Sequence, residues 1–187
     1  MVEAPIKIPA ELFALAESSH FAGTLDLPVL QAGPDDYCFE EPVHWSVDVT
    51  NTGAALLVMG SAWGCASCAC SRCLEPVAYD FEGQVEGYFL IDGSDQVDFD
   101  DDDDSPGADE FDVLPADHIV DLASLIQAAL LVDAPSMPLC RDDCAGLCPT
   151  CGANLNEGDC GCGPDQDLLD FEAESNPFAA LADFKFE

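Results

Sequence analysis

The chain has 187 residues, 49% of them apolar, which suits one domain with a real core and leaves room for a second small module. Its 38 Asp and Glu stand against 4 Lys and Arg, a formal net charge of −34. That balance argues against a direct grip on nucleic acid, which needs Lys and Arg at the phosphates. Work near nucleic acid would call for a basic protein in between, drawn in by electrostatic steering that weakens as salt rises, whereas solubility or adaptation to high salt is the plainer reading of the same acidity.

The first twenty residues lack a basic run followed by an apolar stretch, and no segment approaches ~20 uninterrupted apolar residues, so the chain is expected to be cytoplasmic or a mature protein. In a reducing compartment, eleven clustered cysteines, an odd number, point to metal or redox chemistry before disulfides.

Residues 9–19 are expected to form a short helix opened by Pro9, with Leu12, Phe13, Leu15 and Ala16 on one side. Residues 24–29 alternate briefly and then meet Pro28, as an edge strand does, and Gly33, Pro34, Asp35 and Asp36 make a turn. From Val43 the pattern is cleaner. Val43, Trp45, Val47 and Val49 alternate with His44, Ser46, Asp48 and Thr50 at the two-residue period of a half-buried strand. After a turn at 51–53, residues 54–63 return as a more continuously apolar strand, which predicts a hairpin. Beyond a cysteine-rich interruption, Val77, Tyr79, Phe81, Val85 and Phe89 line one face of a long third strand and Asp80, Glu82, Gln84 and Glu86 the other, with Gly83 or Gly87 as a candidate bulge.

The charge density of 92–112 predicts a mobile acidic loop. His118 reads as an ordinary polar residue opening the next element. Ile119, Leu122, Ala123, Ile126 and Leu130, widened by Leu125 and Ala129, form the stripe of an amphipathic helix over 117–132, ended by Ala134, Pro135 and Pro138. Near the end, Phe178, Leu181 and Phe184 follow Asn176-Pro177 as in a short helix that docks on the protein's own sheet or in a partner's groove. The expected organisation is therefore α+β. Residues 1–134 form an antiparallel β-sheet with a packed helix and the acidic loop, 135–164 a cysteine-rich zinc-ribbon-like module, and 165–187 a tail with a docking helix.

The chemistry lies in the cysteines. Residues 140–162 carry six of them as C-x3-C-x3-C-x2-C-x8-C-x-C, with few apolar side chains to build a core, so a bound ion must fix the shape. Cys148 to Gly152 reads C-P-T-C-G, the form of a zinc knuckle whose trailing glycine takes a backbone angle other residues resist. Cys70 and Cys73, in C-S-R-C, make a second such pair between strands. Eight thiolates fill two tetrahedra, and the expected grouping is Cys148, Cys151, Cys160 and Cys162 in one, with Cys70, Cys73, Cys140 and Cys144 in the other, around one or two structural Zn2+ ions. Arg72 and Arg141 are placed to offset the charge of the thiolates through the outer shell. Cys38, Cys65 and Cys68 read as buried or spare thiols. A redox pair at Cys70 and Cys73 fits less well, because such pairs open a helix in a βαβ unit and strands flank this one. The spacing does not match the ferredoxin patterns of iron–sulfur proteins. His20, His44 and His118 are scattered and no Gly-rich phosphate loop is present, so the chain reads as a binding protein and not an enzyme.

At CSRCLEPV (from Cys70), CRDDCAGLCPTCGANLNEGDCGC (from Cys140) and NPFAALADFK (from Asn176) the chain resembles the YceD family, also called DUF177, associated with accumulation of large-subunit ribosomal RNA. The resemblance implies a non-enzymatic factor in large ribosomal subunit biogenesis, needed for 23S ribosomal RNA processing or accumulation. Its expected partner is a basic large-subunit ribosomal protein or a pre-ribosomal particle. Some members retain little of the C-terminal cysteine set, so zinc would be a structural support in this branch. The three extra cysteines leave open whether Cys65 or Cys68 replaces a ligand in the second site. The competing class is a thiol–disulfide oxidoreductase or redox-regulated chaperone using Cys70 and Cys73.

Overall fold

The computed structural model describes residues 2–91 and 112–162. Within them the order is β1 (Pro5–Lys7), a 3-10 turn (Ala10–Phe13), β2 (Ser18–Leu25), β3 (Val29–Ala32), β4 (Asp35–Phe39), β5 (Val43–Asn51), β6 (Ala55–Ala69), β7 (Pro76–Leu90), β8 (Asp112–Val113), β9 (Ile119–Asp121) and α1 (Ala123–Asp133). The chain divides into two compact units: residues 1–69 with 76–138, and residues 70–75 with those from 139 onward. The expected acidic loop, apart from Asp112, and the expected docking helix lie outside the described residues.

In the first unit, the alternation of β5 is realised residue by residue, with Val43, Trp45, Val47 and Val49 buried and His44 and Asp48 exposed. Its partner β6 is the axis of a seven-stranded sheet. One edge of β6 takes β5 along Leu56 to Trp63 and β4 at Ala66 and Ser67, and the other edge takes β7 along its whole length. All pairings are antiparallel except the short β7–β8 contact. The result is a mostly antiparallel sheet with one helix on it. Buried Asn51 ties the hairpin to the N-terminal turn, donating from Nδ2 to the Leu12 carbonyl at 2.8 Å and accepting from the Gly53 amide at 2.7 Å.

The β6–β7 ladder runs without a break from Ala55↔Leu90 to Ala69↔Pro76, so Gly83 and Gly87 are not bulges. They sit under α1. A Cβ on Gly83 would lie 2.5 Å from the Ala129 carbonyl, and one on Gly87 would lie 2.5 Å from Leu125 Cδ1. The glycines let the helix backbone settle on the strand, where Ile126, Ala129 and Leu130 are buried, each large side chain contributing about 1.5–3 kcal/mol.

Three expectations are corrected by pairing that overrides local pattern. The helix foreseen over 117–132 starts at Ala123, because 119–121 pair with β1 and the Asp121 carboxylate accepts from Ala123 N (3.0 Å) and Ala4 N (2.7 Å). Ile119 is consequently exposed, and His118 stands at φ 57° in the turn before β9, its ring 4.7 Å from that of Phe13. The helix foreseen over 9–19 shortens to the single 3-10 turn. Ala16 N donates to Asn51 O and Asn51 N to Glu17 O, both at 3.0 Å, so the β2–β5 ladder captures this chain, leaving Leu15 outside the core. The cysteine-rich interruption begins later than expected, since β6 continues through Cys65 and Cys68 to Ala69.

The second unit has no helix or named strand among its described residues. Segment 144–148 is zipped to 153–155 by the Leu147↔Asn154 bridge, by Cys148 N to Ala153 O (2.8 Å) and by Leu155 N to Gly146 O (2.9 Å). Leu147 N also donates to Arg72 O at 3.1 Å, which brings 70–75 into the same unit.

Candidate metal centre

Two turns of one design begin the site. In Cys70-Ser71-Arg72-Cys73 the amide of Leu74 donates to the Cys70 carbonyl at 2.9 Å, and in Cys148-Pro149-Thr150-Cys151 the amide of Gly152 donates to the Cys148 carbonyl at 2.8 Å. The residue that closes each turn is left-handed, Leu74 at φ 63° and Gly152 at φ 74°. Each turn aims backbone N–H groups at its first sulfur. Burial pushes the Cys70 thiol up, but the amides of Cys73, Arg72 and Cys140 outweigh it and bring it down to about 6. At Cys148 the amides of Cys151 and Thr150 lead and hold the thiol at about 6.

The fold then brings further thiols to these turns. Cys70, Cys73, Cys140 and Cys144 have their sulfurs within 4.8 Å of one another, and so do Cys148, Cys151, Cys160 and Cys162. Cys70 Sγ is 3.8 Å from Cys144 Sγ, and Cys73 Sγ is 3.6 Å from Cys140 Sγ. A tetrahedral ion with ~2.3 Å bonds to sulfur requires edges of ~3.8 Å. No disulfide joins any of the eleven cysteines. Without a cation the thiols of a group compete for charge. Burial and the neighbours Cys73, Cys144 and Cys70 push Cys140 up to about 12, and Cys151 and Cys160 push Cys162 up to about 12. Each group thus pairs a thiol that ionises early with one that keeps its proton, a conflict a divalent cation relieves. Both sets of four could hold a metal ion, and donor type and spacing are compatible with zinc.

These are the two sets anticipated from the spacing. Cys38 and Cys65 are exposed on β4 and β6, and Cys68 is buried in the sheet; none joins either set. The basic residues act on the loops around the sulfurs: Arg72 Nη1 donates to the Cys144 carbonyl at 3.0 Å, and Arg141 Nη2 donates to Asn156 Oδ1 at 2.7 Å.

Asn156 was not foreseen. Its Oδ1 also accepts from Ala145 N at 2.8 Å, and its Nδ2 donates to Cys144 Sγ at 3.3 Å. Asn156 sits in the stretch between Cys151 and Cys160 yet serves a sulfur of the other group, so the loop spanned by one set of thiols orients a thiol of the other. An asparagine in a turn-rich stretch looks like a loop residue, and only its fixed distance from the cysteines hinted otherwise.

A family model described as "Large ribosomal RNA subunit accumulation protein YceD" matches residues 58–185. Among curated proteins, the chain is 30% identical over 147 residues to the maize (Zea mays) protein described as large ribosomal RNA subunit accumulation protein YCED homolog 1, chloroplastic; the match takes in 66% of this chain and 49% of the maize protein. It is 31% identical over 154 residues to a protein of Mycobacterium bovis described as uncharacterized, across 82% of this chain and 60% of that one, and matches Mycobacterium tuberculosis proteins to the same degree. The chain thus spans between about half and three fifths of the length of these relatives. No solved structure matches. Among the described residues no helix is long and apolar enough to cross a membrane.

Proposed function

Because the chain belongs to the YceD family, on a match that runs from β6 through all eight clustered thiols, we propose that it is a non-enzymatic cytoplasmic factor in large ribosomal subunit biogenesis that supports 23S ribosomal RNA processing and accumulation. The family's name points to ribosomal RNA accumulation rather than to a reaction. The match to the family model is the observation that carries the reading.

Cys70, Cys73, Cys140 and Cys144 would hold one Zn2+, and Cys148, Cys151, Cys160 and Cys162 a second, making residues 139–162 with the 70–75 turn a zinc-ribbon-like module. The ions would supply cohesion that this polar stretch cannot draw from burial. With a net charge of −34, the protein would bind a basic large-subunit ribosomal protein and screen its charge until that protein meets RNA. A thiol–disulfide role draws on the low value at Cys70, yet Cys70 and Cys73 are 0% and 4% exposed, which leaves a disulfide substrate no approach. Depleting the protein in its host should lower mature 23S relative to 16S ribosomal RNA, and affinity capture should recover a large-subunit ribosomal protein at low salt and release it at high salt. An unchanged ratio of the two RNAs would remove the proposal.

A further inference from the structure

The outward face of β5, β6 and β7 carries rows fixed by the two ladders: His44–Trp63–Glu82, Ser46–Ser61–Gln84 and Asp48–Met59–Glu86. Trp63 is 42% exposed and Met59 50%, two large apolar side chains on one strand with carboxylates beside them. A single exposed apolar residue needs no explanation, but this arrangement has features of a seat. The Trp63 ring is stacked on His44, with centroids 5.9 Å apart and planes 19° apart, so its orientation is set in advance. Glu41, Asp80 and Glu82 border a shallow concavity of about 550 Å3 beside that ring. None of these three carboxylates has a cationic partner among the described residues. Of the chain's four basic residues, Lys7 lies in β1, Arg72 and Arg141 belong to the other unit, and Lys185 lies outside the described residues.

We infer that this face, centred on Trp63, is the docking surface for an arginine-rich segment of a protein partner. A phosphate backbone would be repelled by the flanking carboxylates. Lysine would answer their charge alone. A guanidinium answers all three features at once: it stacks on an indole, donates two hydrogen bonds to a carboxylate, and sheds its water more readily than an ammonium. The inference rests on the reading that the partner is basic, and it adds where and through which chemistry that partner is held.

The protein has two tryptophans, and Trp45 is 6% exposed, so fluorescence accessible to a neutral quencher such as acrylamide reports on Trp63. The full-length protein is titrated with an arginine-rich peptide and with a lysine peptide of equal length and charge. The arginine peptide should bind more tightly and protect Trp63 from acrylamide. Trp63→Ala should weaken the arginine peptide about fivefold to tenfold and abolish its advantage over lysine. Asp80→Asn/Glu82→Gln should weaken binding more than Glu3→Gln/Asp26→Asn, which removes the same charge outside these rows. Binding by wild type that Trp63→Ala leaves unchanged in strength and preference, with acrylamide access unaltered, would overturn the docking surface while sparing the basic partner. Failure of both peptides to bind wild type at low salt would overturn the basic partner and the surface together.

Discussion

The two thiol groups share a turn and differ in everything around it. Cys70 and Cys148 each sit beneath two amides of their own turn and are held at about 6. In the first group Cys70, Cys73 and Cys144 are buried, and Cys144 receives a hydrogen bond from Asn156. In the second only Cys148 is buried, Cys151 and Cys162 are exposed, and no side chain outside the group is seen donating to a sulfur among the described residues. The amides of a knuckle are therefore a property of four or five consecutive residues. Shelter from water and from chelators is a property of what folds over them.

The largest expected effect comes from removing a thiol of the sheltered group. Cys144→Ser should lose one of two bound ions and destabilise the second unit by several kcal/mol, on the order expected for a structural zinc, whereas Cys151→Ser should lose the other ion at smaller cost. Elemental analysis and thermal melting measure both, and retention of two ions by either variant would break the assignment. Next, Asn156→Leu should weaken metal retention by the first group about 10- to 100-fold against a competing chelator and leave the second group's affinity nearly unchanged. Equal losses at both would show that the asparagine only shapes the loop.

Acid provides the third comparison. Metal binding needs thiolates, so each ion should be held at neutral pH and released as pH falls. Cys140 and Cys162, pushed up to about 12 without a cation, hold the protons that a bound ion must displace. The exposed group should release its ion at the higher pH, followed with a metal-sensitive dye, and the reverse order would contradict the difference in shelter. The smallest effect concerns the residue that closes each turn. Gly152→Leu should cost about 1 kcal/mol in urea unfolding of the metal-loaded protein. Leu74→Gly should shift stability by less than about 1 kcal/mol, since relief of the left-handed backbone is offset by a looser unfolded chain.

The sequence exposed whatever is encoded locally. Val43 to Val49 alternate because one face of a strand is buried, and the pairs of cysteines are spaced as a knuckle demands. What it concealed was decided by distant partners. Ile119 and Leu122 fit a helical stripe, but β1 pairs from far away in the chain, Lys7 with Ile119 at a separation of 112 and Pro5 with Asp121 at 116. Gly83 suggested a bulge because its real reason, the backbone of Ala129, is on another element. Asn156 was hidden for the same cause, its thiol partner being twelve residues back in a different group.

The unbroken ladder between β6 and β7 makes this hairpin sensitive to insertions and deletions far more than to substitutions. Side chains alternate with a period of two, so one extra residue after Phe81 would turn Glu82 toward the helix and leave Gly83 facing solvent, with every later position inverted too. Variants that lengthen or shorten this arm by one position should be far scarcer among viable sequences than those that only change a residue within it.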